Sequence, residues 1–85
     1  MNIKQHFIQG LMPRLDALNA SREHLKTNKE EAEKSIRRIA HILRGSGGTF
    51  GFQDVTDMAG KVEDATSENM LQALSGLIRL LTTLI

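Results

Sequence analysis

The sequence predicts an all-α fold, an antiparallel up-down bundle of four helices, and three observations carry that reading. Apolar residues recur every three or four positions along nearly the whole chain. Cap residues and glycines interrupt this rhythm at intervals that leave only short connections, and nothing resembles a repeat or a low-complexity linker. The chain has 85 residues, enough for one domain over residues 1–85 with a single small core.

The first stripe is Ile3, Phe7, Leu11, Leu15, Leu18 and Leu25, interrupted by Gly10 and Pro13. Proline lacks a backbone donor and clashes with the preceding turn. Either a kink or a short first helix, with a second beginning near Pro13, is therefore expected. The segment Lys26 to Glu30 is the next boundary, with Thr27 and Asn28 as candidate caps. A long helix then runs from about Lys29 towards Phe50, and Gly51 is placed to end it because glycine takes a left-handed conformation without steric cost. Phe52, Val55, Met58, Ala59 and Val62 define the third helix. Thr66 and Ser67 offer the cap for a fourth, in which Met70, Leu74, Leu77, Leu81 and Leu84 repeat by four and three. Leu71, Ala73, Ile78, Leu80 and Ile85 widen this last stripe. It reads first as core and second as a surface through which two copies could form a homodimer.

Composition removes several functional classes. The fourth stripe, with Gln72 and Arg79 inside it, is too short and polar for a membrane span of roughly 20 residues. A formal net charge of +1 with no Trp and no Tyr lacks both the basic footprint and the stacking platforms of nucleic-acid binding. Without cysteine there is neither a disulfide framework nor a thiolate metal site. His6 and His24 have no ligand partner at short spacing and read as surface or core-edge residues, so no metal or cofactor is expected. The N-terminus MNIKQHFIQG has no apolar signal core, which predicts a cytoplasmic location. The chain ends at Ile85 without a polar tail, which suggests a piece of a multidomain protein.

His41 is the residue that stands out. At 100° per residue, Ala32, Ile36, Ile39, Ala40 and Leu43 fall on one arc, and His41 lies roughly 160° from its centre. Lys34, Arg37, Arg38, Gly45 and Gly48 surround it. Such a histidine is exposed and free to react, though an ordinary surface histidine would satisfy the same geometry. The glycines of GSGGTFG do not make a nucleotide loop. No strand precedes them, no Gly-Lys-Ser/Thr follows, and they sit near a helix C-terminus whose dipole repels phosphate.

The stretch AHILRGSGGTFGFQDVTDMAGKVEDA resembles the signature of the histidine-containing phosphotransfer (HPt) family. In that family a reactive histidine is followed by a leucine, a basic residue three positions on, and glycines four and ten positions on. His41, Leu43, Arg44, Gly45 and Gly51 match. The pattern closes on an aliphatic residue and an acid, matched by Val62 and Glu63. Two positions depart from it. Gly47 and Gly48 replace the usual small residues and weaken the helix by about 1 kcal/mol each, so a loosened helix end is expected. Arg44 replaces the commoner lysine with a planar fork of donors.

The resemblance implies a phosphorelay role. His41 would accept a phosphoryl group from the aspartyl phosphate of a receiver domain, or from a histidine kinase, and pass it to the aspartate of a response regulator. Arg44 would supply a cation for the equatorial oxygens. Gly45 would leave the approach open, and Gly51 would shape the turn. Glu63 would accept a hydrogen bond from the other imidazole nitrogen and fix its tautomer. Phe50 and Phe52 would pack the core. Mg2+ would belong to the partner receiver, and the chain would be a phosphotransfer intermediate without kinase activity of its own. The same signature would suit the phosphoacceptor domain of a chemotaxis-type kinase, phosphorylated directly by an ATP-binding module. A helical adaptor or dimerisation module with an incidental histidine is the remaining alternative.

Overall fold

The computed structural model describes residues 3–85. Met1, Asn2 and the side chain of Ile3, including its place in the first stripe, lie outside the described residues. Four helices follow one another: α1 (Ile3–His24), α2 (Lys29–Thr49), α3 (Gln53–Asp64) and α4 (Met70–Leu84). Each packs on its two neighbours in a closed ring, α2 against α3 most extensively, giving the expected antiparallel bundle of 41 × 20 × 18 Å. No helix is long and apolar enough to cross a membrane, among the described residues.

The predicted stripes meet on the bundle axis. Phe7, Leu11, Leu15 and Leu18 of α1 face Ile36, Ala40 and Leu43 of α2, Val55, Ala59 and Val62 of α3, and Leu74, Leu77 and Leu81 of α4. Complete burial of side chains such as Ile36, Leu43 and Leu74 stabilises the fold by about 2 kcal/mol each. No polar or charged side chain is buried among the described residues, so all the chemistry lies on the outside. The breadth of α4 is absorbed by this core. Met70, Leu74, Leu77, Ile78 and Leu81 are buried, and only Leu71 and Ile85, at its two ends, stay exposed.

At one boundary an alternative left open is removed, and at another the expectation is corrected. α1 runs as one helix through Pro13, so the short first helix with a second start near Pro13 is not formed. Pro13 and Gln9, whose carbonyl loses its partner, both lie on the exposed side, where water can replace the missing donor. α4 starts at Met70 with Asn69 in the cap position, not at Thr66 or Ser67. The Ser67 hydroxyl instead donates to Glu33 Oε1 at 2.8 Å, and Thr66 accepts from Asn69 through both backbone and side chain. Asn28 does cap α2, accepting from the Glu31 N–H.

The turn between α2 and α3 positions the site. α2 stays helical through Thr49 despite Gly47 and Gly48. Gly51 has φ +84°, Phe52 N–H donates to Gly47 O at 2.7 Å, and Gly51 N–H donates to Gly48 O at 3.4 Å. These paired bonds across a left-handed glycine are a Schellman cap. Phe50 and Phe52 stack on Phe7, with ring centroids 5.2 and 4.8 Å away, and so tie the turn to the start of α1. Gly47 is buried because α3 comes back so closely. A Cβ there would lie 2.7 Å from Thr56 Oγ1 and 3.0 Å from both Phe52 O and Thr56 N.

Gly45, two residues earlier, has nothing within 4 Å of such a Cβ. Alanine at each position therefore has opposite expected effects. Gly45→Ala stabilises by up to about 1 kcal/mol through helix propensity, whereas Gly47→Ala destabilises by roughly 1–3 kcal/mol through overpacking. Urea denaturation of the two variants measures this, and equal midpoints would rule out the close approach at Gly47.

Candidate functional site

His41 projects from the middle of α2 with its side chain 74% exposed. Glu63, one residue before the end of α3, reaches across to it, with Oε2 2.7 Å from His41 Nδ1. The other carboxylate oxygen, Oε1, accepts from the Arg44 guanidinium at 3.2 Å, and Asp64 Oδ2 lies 3.9 Å from the same nitrogen. The structure thus brings His41, Arg44 and Glu63 together as one cluster. Gly45 stands open one helical turn beyond His41, and Gly51 turns the chain at the end of the helix.

Two opposing influences act on the Glu63 carboxyl. Its withdrawal from water pushes the pKa up, but hydrogen bonds from Arg44 and His41, with the positive charge of both, outweigh this and hold it below the ordinary carboxylate value. Glu63 is therefore ionised at neutral pH, and an ionised carboxylate can only accept hydrogen bonds. His41 Nδ1 must carry the proton in this contact. In the neutral ring the lone pair then belongs to Nε2, on the solvent side of the imidazole.

Arg37, four residues before His41, was legible only as one of several cations. Its guanidinium donates to Glu63 O and to Ala65 O, both at 2.7 Å. A planar fork satisfies two carbonyls at the C-terminus of α3, where a cation also meets the negative end of the helix dipole. It anchors the backbone that carries Glu63. Lys34 and Arg38 remain exposed, as do His6 and His24. Thr56 was also missed: its hydroxyl donates to Arg44 O at 2.8 Å. A threonine on the flank of an apolar stripe gives no sequence signal for such a bond, because the acceptor belongs to another helix.

The lowered Glu63 pKa gives a definite sign to the pH dependence. A carboxylate whose folded pKa lies below its unfolded one contributes stability above the unfolded value of about 4.3. That contribution disappears as pH falls through the folded value. Wild-type protein is expected to lose more stability on acidification from neutrality than Glu63→Gln, which has no charge to titrate. Urea denaturation over a pH series checks this, and parallel curves would refute it.

Comparison with known proteins places the chain in a family. The family model for the Hpt domain matches residues 2–85. A curated relative, the chemotaxis protein CheA of Halobacterium salinarum, is 49% identical over 39 residues, covering 46% of this chain and 6% of that protein. No solved structure matches. With its four-helix bundle and a family match over nearly the whole length, the chain belongs to the Hpt domain family, the phosphotransfer domains of phosphorelay signalling.

Proposed function

We propose that His41 is the phosphoacceptor of a phosphorelay carrier. It takes a phosphoryl group from the aspartyl phosphate of a receiver domain and hands it to the aspartate of another. The single observation that carries this reading is the 2.7 Å contact between His41 Nδ1 and Glu63 Oε2, which leaves Nε2 as the free nucleophile on an exposed ring.

The chemistry needs little from the protein beyond orientation. The Nε2 lone pair forms a bond to phosphorus while the bond from phosphorus to the aspartyl oxygen breaks, and the aspartate leaves as a carboxylate. No proton has to move. The ring, already protonated at Nδ1, becomes cationic as the N–P bond forms, and the Glu63 carboxylate faces that charge. Arg44, one turn along α2, can exchange its contact with Glu63 for the equatorial phosphoryl oxygens. Mg2+ would be held by the receiver. Exposed Ile42 beside His41 and the unobstructed space at Gly45 support access by a partner domain.

The likeness to a chemotaxis CheA protein favours one second reading, a phosphoacceptor domain loaded directly by an ATP-binding kinase module. The apolar breadth of α4 is read as core, since the large apolar side chains it leaves exposed to a second copy are Leu71 and, just beyond its end, Ile85, each only about half exposed.

Labelling separates these readings. Phosphorylated receiver is expected to transfer acid-labile phosphate to the wild-type chain and none to His41→Gln; equal labelling of both would sink the proposal. A kinase domain with ATP, tried in place of the receiver, gives label if the second reading holds. Access has its own test. Gly45→Leu is expected to keep the fold, because nothing in the bundle touches that position, while slowing transfer from the receiver by about tenfold or more through obstruction. Unchanged transfer by a folded Gly45→Leu protein would show that partners approach from another side.

A further inference from the structure

One face of α3 is occupied by Arg44. Thr56 Oγ1 donates to the Arg44 carbonyl at 2.8 Å. One turn on, Gly60 lies under the Arg44 side chain, where a Cβ would stand 3.4 Å from Nε, 3.5 Å from Cζ and 3.8 Å from Cδ. Another turn on, Glu63 Oε1 accepts from the guanidinium at 3.2 Å, with Asp64 Oδ2 at 3.9 Å. Gly60 follows Thr56 by four, and Glu63 and Asp64 follow Gly60 by three and four, which places all of them in one stripe. Backbone carbonyl, guanidinium stem and guanidinium nitrogen are each met in turn.

Glycine in the middle of α3 has no conformational cause, since the helix is regular there and Gly51 alone among the described residues has a positive φ. It costs about 1 kcal/mol in helix propensity relative to alanine. The contact requires a residue no larger than alanine: a small side chain leaves a notch in which a flat guanidinium can lie against the helix. We propose that Gly60 is a positioning residue for Arg44, holding the guanidinium on Glu63 and beside His41, ready for the phosphoryl group. The functional part of this inference rests on the reading of Arg44 as the cation that meets that group. The placement itself does not.

The distances distinguish two substitutions. A methyl group at 3.4–3.8 Å is in ordinary contact, so Gly60→Ala is expected to leave Arg44 in place while raising the melting temperature. The branched side chain of Gly60→Leu fills the notch and displaces the guanidinium, yet leucine also favours the helix, so the fold is retained. The Glu63 carboxyl, followed by carbon-13 NMR through a pH titration, reports the loss. Its midpoint is expected to move upward in Gly60→Leu, as in Arg44→Ala, and to stay at the wild-type position in Gly60→Ala.

Transfer from phosphorylated receiver is expected to fall in Gly60→Leu to the rate of Arg44→Ala, with no further fall when the two are combined. An unmoved Glu63 titration in folded Gly60→Leu protein would overturn the notch. A double variant slower than Arg44→Ala would also overturn it, because leucine would then be obstructing the partner. Failure of the carrier reading is a separate result, seen as label on His41→Gln, and it leaves the NMR outcome standing.

Discussion

The turn around Gly51 brings α3 back along α2 at a set offset, and that offset decides which side chains meet. His41 faces Glu63, Arg44 lies over Gly60, and Gly47 touches Thr56, three pairs that step outward from one pivot. Each residue of a helix advances 1.5 Å and turns 100°. One residue inserted within α3 between Val62 and Glu63 would carry Glu63 about 100° around the helix and out of reach of the imidazole. The Schellman bonds of Gly51 and Phe52, and the stacking of Phe50 and Phe52 on Phe7, therefore act on the site from a distance.

Glu63 joins the pieces electrostatically. One carboxylate oxygen serves His41 and the other serves Arg44, while Arg37 holds the Glu63 backbone carbonyl. The donors keep the carboxylate ionised, and ionisation in turn assigns the proton to His41 Nδ1. Exposed ion pairs of this kind contribute little to stability. Their worth here is orientation, because a histidine on a solvent-facing helix would otherwise rotate freely and present either nitrogen.

A domain this small separates its two tasks in space. Among the described residues apolar side chains alone make the core, and His41, Arg44 and Glu63 lie on the outside of α2 and α3. The glycines show the same division. Gly47 is demanded by the approach of α3, Gly51 by its left-handed backbone, and Gly60 makes room for Arg44. Gly45 answers to nothing inside the bundle, so its use must be sought in what approaches from outside.

Much of this was legible in the residues themselves. The spacing of Ile36, Ala40 and Leu43 placed a buried stripe on α2 and left His41 opposite it. Cap and glycine signals at Asn28 and Gly51 marked real helix ends, and the match at Val62 and Glu63 named the acid that meets the histidine. The stripe and the helix ends follow from the chain's own periodicity and cap residues, which a local sequence carries in full, whereas Glu63 was named by the resemblance to the HPt signature. The continuous path of α1 through Pro13, the bond from Ser67 to Glu33, the double grip of Arg37, and the seat of Arg44 on Gly60 were decided only in the assembled bundle. Each depends on where a neighbouring helix, or water, stands relative to a group whose sequence context is uninformative, and that relation exists only once the helices have packed.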